Sequence, residues 1–531
     1  MPALREMEAR EIQDDFSALR QATEDYYNKK ITMPEYKGQS GWRGTFGQRD
    51  HHSNVARIRM TGGRIDKKTL RFLVDTARKY GVDHLHFATC QSIQMHDLQP
   101  EQVIGILKDS FDQGIISFGT GGNYPRNIMC SPLAGTDPEE VFDVMPYALA
   151  AGDYLVNRCE NPQMPKKLKT AFSGSRANLT HATYRDLGFE AQPDGTFSVY
   201  VAGGLGPNPR VGVKVLEKLE RQDVLYAVQT MINVFQKYGC NKDAAKRRTR
   251  YMVEALDGEE AFRKIWQDEF RKVRTKDDLT LHNIKDIEFC KKGDGSKAPD
   301  CWRVHPQKQE GLYTVEYHPI GGRPDVNVLD ELAKAIEPME EVELRSSPFQ
   351  TVYILNLTGD EAKKVLEITH EDSAQSQFET SVACIGASTC QVGLRDSQQL
   401  LQECVRALRK EDLPFCALPQ CHISGCRNSC GAHQTARIGF SGFIGRKNGQ
   451  MVPAFKLCLY GDNDPFHSVM GRDAALLAQS DIPAFLVKLA KTVAASGEGF
   501  DEWYAKKPQG VEQIAMEFAL QDLDKSEEKQ A

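Results

Sequence analysis

Four cysteines in two close pairs are the residues of this chain best suited to chemistry. Cys384 and Cys390 have five residues between them, and Cys426 and Cys430 have three. Four thiolates that converge on one point bind either zinc or an iron–sulfur cluster. Structural zinc sites usually place two residues between paired ligands, so these wider spacings favour the larger cluster. A zinc ion and four unrelated buried cysteines are the alternatives.

Small residues surround both cysteine pairs. Gly425 and Gly431 flank the second pair, and a residue without a Cβ lets the backbone approach a cluster closely. Cys416 and Cys421 lie in the same region and are rival ligands, but no glycine pattern surrounds them. The first pair encloses three further small residues, Gly386, Ala387 and Ser388.

Length and composition describe a globular protein of several subdomains. The chain has 531 residues, 40% of them hydrophobic and 26% charged. A net charge of −6 argues against a general nucleic-acid binder, and no apolar run is long enough to span a membrane. The N-terminal residues are rich in acids, unlike a signal or transit peptide, so we expect a cytoplasmic protein.

A reducing cytoplasm would argue against a disulfide framework for the 14 cysteines. A scattered cysteine is most often a small buried hydrophobic residue. We expect this of the cysteines outside the clusters, namely Cys159, Cys240, Cys290, Cys301, Cys404 and Cys458.

The elements that position these residues begin near residue 50. Residues 55–60 alternate like a strand, and a Gly-Gly turn follows. Residues 67–80 have apolar positions at helical spacing and end at Gly81, a plausible cap. Two further strand-like segments and a helix complete a β-α-β-α order.

The same order returns later in the chain. The turns at residues 62–64 and 321–323 are 259 residues apart, and so are the segments 91–93 and 350–352. Two separate landmarks with one offset predict an internal duplication, in which a small module and a larger α/β module each occur twice.

The cysteine motif resembles that of the siroheme-dependent nitrite and sulfite reductases, which have C-x5-C followed by G-C-x-N-x-C. Here the second part is Gly425-Cys426-Arg427-Asn428-Ser429-Cys430. The resemblance covers roughly residues 50–500. It implies an α+β fold in an internally duplicated chain, with two ferredoxin-like half-domains forming one domain, plus two siroheme- and cluster-binding α/β domains.

The expected segments follow from the duplication and the resemblance together. They are an N-terminal arm (1–45), a first ferredoxin-like half (46–118), a first siroheme-binding domain (119–305), a second ferredoxin-like half (306–375), a second siroheme and [4Fe–4S] domain (376–505) and a C-terminal tail (506–531).

The resemblance also implies the cofactors and the reaction. Cys384, Cys390, Cys426 and Cys430 would bind a [4Fe–4S] cluster, and Cys430 would bind the siroheme iron through the same sulfur. The activity implied is six-electron reduction of sulfite to sulfide, with nitrite to ammonia as the alternative. No side chain can supply such electrons, so cofactors must carry them.

A set of basic residues matches the family's anion-binding positions. These are Arg57, Arg126, Lys167 and Lys169. The arginines would hold the oxyanion by charge-assisted hydrogen bonds. The two lysines alternate along an extended segment and so face one way, and crowding beside the arginines would favour proton donation by a lysine.

Three other residues resemble positions that contact siroheme carboxylates, namely Gln94, His96 and Asn127. One position departs from the family. Where relatives commonly have an arginine that pairs with a siroheme carboxylate, this chain has Cys90. We expect either Arg59 or Arg64 to substitute, or the macrocycle to be held differently.

The substrate and the electron donor are less strongly indicated. Nitrite-specialised relatives typically have Asn at the position of Lys169, and a second cation favours the doubly charged sulfite. No dinucleotide fingerprint is convincing, so we expect a separate donor protein such as a ferredoxin or a flavoprotein subunit. The other classes of function are an iron–sulfur electron carrier without substrate, a structural metalloprotein, and an enzyme acting on a tetrapyrrole precursor.

Overall fold

A computed structural model describes residues 9–157, 164–462 and 468–520. The chain divides into two compact units. The first contains Met1–Gly204, Arg210–Tyr317 and Arg323–Asp372, and the second contains Leu205–Pro209, His318–Gly322 and Ser373–Ala531. Within the described ranges, no helix has both the length and the apolar character needed to cross a membrane.

The first unit contains four groups of elements in chain order. They are α1 (Ala9–Tyr27), α2 (Met33–Ser40), β1 (Thr45–Gly47), β2 (Asn54–Ile58), β3 (Arg64–Ile65), α3 (Lys67–Tyr80), β4 (Leu85–Phe87), β5 (Ile93–Leu98) and α4 (Pro100–Asp112); then β6 (Met129–Cys130), α5 (Met145–Val156), β7 (Thr170–Ser173), β8 (Leu187–Ala191), β9 (Phe197–Val201) and β10 (Val213–Leu219); then α6 (Val224–Tyr238), α7 (Tyr251–Ala255) and α8 (Glu259–Lys276); and finally β11 (Val304–Pro306), β12 (Tyr313–Tyr317), α9 (Val326–Ile336), β13 (Glu343–Ser346), β14 (Val352–Leu357) and α10 (Gly359–Thr369).

The second unit is smaller. Its elements are β15 (Val382–Ala383), α11 (Ser397–Leu408), β16 (His422–Ser424), β17 (Ile438–Lys447), β18 (Gln450–Leu459), β19 (Arg472–Ala478), α12 (Ile482–Ala494), α13 (Phe500–Lys506) and α14 (Gly510–Met516).

Two ferredoxin-like halves lie within the first unit. Their sheets have the orders β1-β2-β5-β4 and β11-β12-β14-β13-β3, so β2-β5-β4 corresponds to β12-β14-β13. Strand β3 of the first half pairs with β13 of the second, with Ile65 opposite Leu344. Buried residues of both halves, among them Leu73 and Leu332, form one continuous core. The prediction that two half-domains form one domain is therefore confirmed.

The remainder of the first unit is an α/β module. Its sheet has the order β10-β9-β8-β7-β6, in which β6, β7 and β8 are parallel. The rings of Phe172 on β7 and Phe189 on β8 stack with centroids 4.5 Å apart, and Trp266 of α8 is fully buried. This core fixes the amino ends of the three parallel strands, where the candidate site residues lie.

The second unit repeats that module. Its sheet has the order β15-β16-β17-β18-β19, again with three parallel strands followed by two antiparallel ones. Left-handed backbone recurs at the predicted offset, since Gln91 and Gln350 have φ of 55° and 66°, and both Asp97 and Asn356 have φ of 62°. Such angles are uncommon outside glycine, so their recurrence confirms the duplication.

The N-terminal arm forms two helices. Phe16 and Leu19 of α1 are buried in the core of the ferredoxin-like halves, and the ring of Phe16 lies 6.3 Å from that of Phe118. The predicted boundary at residue 45, like those at 118, 305, 375 and 505, stays a prediction.

Candidate functional site

Two arginines of the first unit converge on one backbone carbonyl. Arg57 lies on β2, and its Nη1 donates to the Thr120 oxygen at 2.8 Å. Arg126 lies just before β6; its Nη1 donates to the same oxygen and its Nη2 to the Gly122 oxygen at 2.9 Å. The shared acceptor holds the two guanidinium groups side by side.

Backbone pairing places the two lysines next to Arg126. Leu168 forms a bridge with Pro125, and the Arg126 N–H donates to the Leu168 oxygen at 2.8 Å. Leu168 is only 1% exposed, whereas its neighbours Lys167 and Lys169 are half-buried. Because side chains alternate along extended chain, the two ammonium groups lie on the same side of this segment.

A buried carboxylate fixes the second lysine. Asp186 is fully buried and accepts a hydrogen bond from the backbone N–H of Lys169 at 3.0 Å. It also accepts from Arg248 Nη2 at 2.8 Å and from the Thr249 hydroxyl. Arg185 precedes it in the chain and is itself buried. Sequence analysis missed Arg185 and Arg248, because nothing in their local pattern distinguishes them from solvated surface arginines.

The crowding of positive charge shifts several pKa values. Burial, with Arg57 nearby, lowers the pKa of Arg126 to about 9. Burial also lowers the pKa of Arg185, and Arg248 contributes to that shift. For Cys90 burial acts upward, but the cations around it, first Lys169, outweigh burial and bring the thiol pKa to about 6. These residues therefore share a strongly positive pocket.

A chain of neutral side chains orients Arg57. With its amide placed so that the oxygen faces Arg57, Gln94 accepts from Arg57 Nη2 at 2.9 Å and Nε at 3.1 Å, and its nitrogen donates to His96 Nε2 at 3.2 Å. His96 Nδ1 lies 3.2 Å from the Gln48 oxygen, and the Gln48 amide donates to Asp97 at 2.7 Å. Since His96 Nε2 accepts, its proton is on Nδ1, and the chain fixes the plane of the guanidinium.

Asn127 stabilises the turn that carries Cys90. Its amide nitrogen donates to the backbone oxygens of Met60 at 2.7 Å, Cys90 at 2.9 Å and Gln91 at 3.0 Å. Its side-chain oxygen is buried and has no hydrogen-bond partner among the described residues. Contact of Gln94, His96 and Asn127 with a siroheme carboxylate stays a prediction.

The two arginines expected to substitute at position 90 are engaged elsewhere. Arg59 is buried and donates to the backbone oxygens of Ile116 at 3.2 Å and Phe118 at 2.7 Å. Arg64 pairs through Nε with Glu343 at 2.7 Å. Their guanidinium groups therefore stabilise the fold of the first unit.

The cysteine pairs lie in the second unit, at the carboxyl ends of two parallel strands. Val382 on β15 is opposite His422 on β16, Cys384 directly follows β15, and Cys426 follows β16 after Gly425. The Gly425 N–H donates to Cys384 Sγ at 3.1 Å. Parallel pairing therefore brings the two cysteine loops to one edge of the sheet.

The four thiols influence one another. Burial raises the pKa of Cys384 to about 12 and also raises the pKa values of Cys390 and Cys426, and the charge of Cys430 contributes in all three cases. Cys430 is thus the common neighbour. In the described part of the chain no group of three or more His, Cys, Asp or Glu side chains forms a site for a single metal ion.

Glycines make the cysteine loops possible, for a reason that sequence analysis did not give. A Cβ on Gly425 would lie 2.3 Å from the Arg395 oxygen, and one on Gly431 would lie 2.5 Å from the Ile423 oxygen. Real Cβ atoms essentially never approach so closely. The glycines let the chain approach its own backbone.

The other cysteines take varied positions. Cys421 is buried in the hydrophobic core with Cys404, and Cys416 is exposed. Cys458 is buried as predicted, Cys240 and Cys301 are half-buried, and Cys159 lies outside the described residues. Cys290 is exposed, so the prediction of a buried side chain is wrong there, because it lies in a stretch without helix or strand.

Both constellations suit the implied cofactors. In the first unit the Nε atoms of Arg126 and Arg248 are buried without a hydrogen-bond partner among the described residues, as expected where an anionic group completes the site. In the second unit, the half-buried cysteines Cys384, Cys390 and Cys426, with the exposed Cys430, suit a cluster that neutralises thiolate charge. The residues present therefore fit anionic groups in the first unit, which include the siroheme carboxylates and the oxyanion, and a four-cysteine cluster in the second.

Comparisons with known proteins find two family models that match this chain. The model of the nitrite and sulphite reductase 4Fe-4S domain matches residues 121–273, and that of the nitrite/sulfite reductase ferredoxin-like half domain matches residues 46–109 and 305–372. Together they match more than half of the chain.

Individual relatives cover most of the chain. "Sulfite reductase [ferredoxin] 1" of Mycolicibacterium paratuberculosis is 26% identical over 461 residues, which are 81% of this chain and 80% of the relative. "Ferredoxin--nitrite reductase" of Synechococcus elongatus is 28% identical over 452 residues, 82% of this chain and 85% of the relative. The solved structure of the Mycobacterium tuberculosis NirA protein has the same fold, with a TM-score of 0.74 at 24% identity, covering 92% of this chain and 94% of that one.

Proposed function

Because this chain belongs to the family of nitrite and sulfite reductases, we propose that it reduces sulfite to sulfide, with nitrite as the alternative substrate. The chain is an oxidoreductase with siroheme and a [4Fe–4S] cluster, and these groups supply the electrons that no side chain can carry.

The convergence of Arg57 and Arg126 on the Thr120 oxygen carries the proposal. Two guanidinium groups held side by side present several N–H donors to one small anion, and such charge-assisted bonds are the strong ones. The network through Gln94 keeps Arg57 in place before the anion arrives, so little reorganisation is needed.

The neighbouring lysines supply protons. Reduction of sulfite or nitrite releases water, and each oxygen that leaves must be protonated. Lys167 and Lys169 lie on one side of their segment beside Arg126, and the hydrogen bond to Asp186 holds Lys169 there. Lys169 also adds positive charge, which favours the doubly charged sulfite over singly charged nitrite.

The sulfur ligands belong to the second unit. We assign Cys384, Cys390, Cys426 and Cys430 to the cluster, because parallel pairing brings their two loops to one edge of the sheet. The resemblance of the motif assigns Cys430 also to the siroheme iron. Gln94, His96 and Asn127 are assigned to siroheme carboxylates, in addition to their hydrogen bonds within the protein.

The electron donor is a separate protein. Both relatives carry ferredoxin in their names. We propose a ferredoxin as the donor to this chain, with a flavoprotein subunit as the alternative.

Side-by-side kinetics test the proposal. Steady-state rates with sulfite and with nitrite are measured under one electron donor, reduced methyl viologen, on protein whose siroheme and acid-labile sulfide are quantified. We expect the larger kcat/KM with sulfite, and a shift toward nitrite in Lys169→Asn. Lys218→Asn, at an exposed position, serves as the control.

Other outcomes are informative. A larger kcat/KM with nitrite overturns the substrate assignment and leaves the alternative reductase. No turnover of either anion by fully loaded protein would overturn reductase function and favour an electron carrier.

A further inference from the structure

Arg185 is a buried cation whose hydrogen-bonding capacity is largely unused. It is 6% exposed and lies just before β8. Its Nε donates to the Thr180 oxygen at 2.9 Å. Its backbone N–H donates to the Ala182 oxygen at 3.2 Å, and within the described ranges its side chain makes no other hydrogen bond, so its two terminal nitrogens keep unused donors. A guanidinium on so deeply buried a residue is well placed to bind an anion that completes its contacts.

No nearby anionic side chain of the protein occupies the unused donors of Arg185. Asp186 is next in the chain, but its oxygens already accept from Lys169, Arg248 and Thr249. Cys90 lies within electrostatic reach of Arg185, and each shifts the pKa of the other. A thiolate is a single-point acceptor, whereas a guanidinium fork matches the two oxygens of a carboxylate.

The position of Arg185 points to the cofactor and away from the substrate. The arginines assigned to the oxyanion are fixed by the Thr120 oxygen, and Arg185 makes no bond there. It lies instead near Cys90, because Cys90 packs against the buried cluster that contains Ala182, and Ala182 accepts the Arg185 N–H. Residue 90 is the position at which the siroheme-pairing arginine of the resembling family is missing. Arg59 and Arg64, the two candidates from the sequence, are bound to backbone carbonyls and to Glu343.

We propose that Arg185 binds a carboxylate of siroheme and supplies, from the segment before β8, the guanidinium that residue 90 lacks. The assignment deepens the proposed function, because it concerns the cofactor of the same site. It concerns retention of siroheme, not the choice between sulfite and nitrite.

Siroheme retention is the readout. The variants are Arg185→Met, Arg185→Lys and the double variant Cys90→Arg/Arg185→Met. Siroheme per chain is measured in the purified protein by extraction and absorbance, and its loss is then followed during dilution into excess apomyoglobin. Melting temperature and acid-labile sulfide report on folding and on the cluster.

We expect siroheme loss to be roughly ten-fold faster in Arg185→Met, the effect of one charge-assisted hydrogen-bonded pair. Arg185→Lys keeps the charge without the fork and should fall between Met and wild type. The double variant should recover most of the retention, because the new guanidinium arises beside the old one. Arg271→Met, which removes an exposed arginine of α8, should leave retention unchanged.

Two results would overturn the proposal. One is wild-type retention in Arg185→Met. The other is faster loss in Arg185→Met that neither Lys nor Cys90→Arg reduces, which would indicate a structural role only. If Arg185→Met fails to fold, the comparison of Arg185→Lys with wild type decides, and equal retention there contradicts the fork. A chain that binds siroheme but reduces neither anion would refute the proposed function and leave this test intact.

Discussion

The two α/β modules have the same strand order but carry their chemistry at opposite ends of the sheet. In the first unit, Arg126, Lys169 and Arg185 come shortly before the parallel strands β6, β7 and β8. In the second unit, Cys384 and Cys426 come shortly after β15 and β16. One copy of the duplicated module thus presents cations at strand amino ends, and the other presents sulfurs at carboxyl ends.

One equivalent pair of hydrogen bonds shows how little separates the copies. In the first unit the Gly174 N–H donates to Ser131 Oγ at 2.9 Å, and in the second the Gly425 N–H donates to Cys384 Sγ at 3.1 Å. Both acceptors directly follow an edge strand of their sheet. The backbone donor is equivalent in the two copies, and only the acceptor differs, an oxygen in one copy and a sulfur in the other.

The cationic position has a counterpart as well. Ala171 of β7 and His422 of β16 are equivalent, because each is paired with the first residue of the adjacent edge strand. Lys169 lies two residues before Ala171, and Gln420 lies two residues before His422. The Gln420 amide donates to the Thr380 oxygen at 2.7 Å. A neutral residue with a structural bond therefore occupies the place of a cation.

The largest effect is expected from substitution of a cysteine in the second unit. Cys430→Ser should remove the cluster and the siroheme absorption together and reduce turnover below detection, because the other three thiols share this neighbour. Acid-labile sulfide, the visible spectrum and turnover are measured. Cys416→Ser, at an exposed cysteine of the same unit, is the control. Full colour in Cys430→Ser would refute the assignment.

Loss of a cation in the first unit should lower kcat without loss of the cofactors. Lys169→Met should retain siroheme and acid-labile sulfide but lower kcat roughly 10²- to 10⁴-fold, the usual loss of a general acid. Gln420→Met, at the equivalent position of the other copy, should change kcat little. Equal kcat values for the two variants would mean that the position of Lys169 is no more important for turnover than the equivalent position of Gln420.

Cys90 should report on the positive pocket through pH. Its thiol pKa of about 6 means that the thiolate persists down to about pH 6 and is lost below it. In protein produced without siroheme, alkylation of Cys90 by iodoacetamide, followed by peptide mass spectrometry, should therefore have its midpoint near pH 6. At pH 7 the thiolate fraction exceeds that of an unperturbed thiol by a factor of tens.

The same experiment has an internal check. Lys169 is the cation with the largest influence on Cys90, so Lys169→Met should move the midpoint of labelling upward. A midpoint near that of an ordinary thiol in the unaltered protein would contradict the described pocket.

Loss of the hydrogen-bond network that orients Arg57 should weaken oxyanion binding less than loss of the Arg57 charge. Gln48→Met removes the distant end of the network without touching Arg57, and KM for the oxyanion should rise roughly ten-fold with a smaller change in kcat. Gln192→Met, on a turn of the same unit, provides the comparison. An unchanged KM would show that Arg57 is fixed by Thr120 alone.

The smallest effect is expected at the serine that corresponds to a cluster ligand. Ser131→Ala removes the acceptor of the Gly174 N–H and should lower the melting temperature by about 1–4 °C, with cluster and turnover retained. Cys384→Ser, at the equivalent position, should lose the cluster. Calorimetry and sulfide analysis distinguish the two. Loss of the cluster in Ser131→Ala would contradict the equivalence.

Local patterns were sufficient to predict much of the fold. Helix α3 ends at Gly81, which has φ of 62° as a helix cap requires, and the paired turns and glutamines predicted the duplication. The family, the duplicated α+β fold and the cofactors are confirmed by the family models. These features depend on short stretches of sequence, which carry propensities and spacings.

The pocket depended on contacts that no short stretch contains. The Thr120 carbonyl joins Arg57 and Arg126 only after β2 and the segment before β6 have packed together. Arg185 becomes buried because β8 pairs with β7 and β9. Local motifs predicted Arg57 and Arg126 as candidates, but tertiary packing sets their shared contact, and tertiary packing alone buries Arg185.

The amide of Gly425 has a further consequence. In the proposed cluster, where Cys384 is a ligand, an N–H directed at its sulfur would draw electron density from it, stabilise the more negative oxidation state and raise the reduction potential. No side chain fits at this position, because its Cβ would meet the Arg395 oxygen. The reduction potential of such a cluster would therefore depend partly on the main chain, which a point mutation at Gly425 cannot adjust without disrupting the loop.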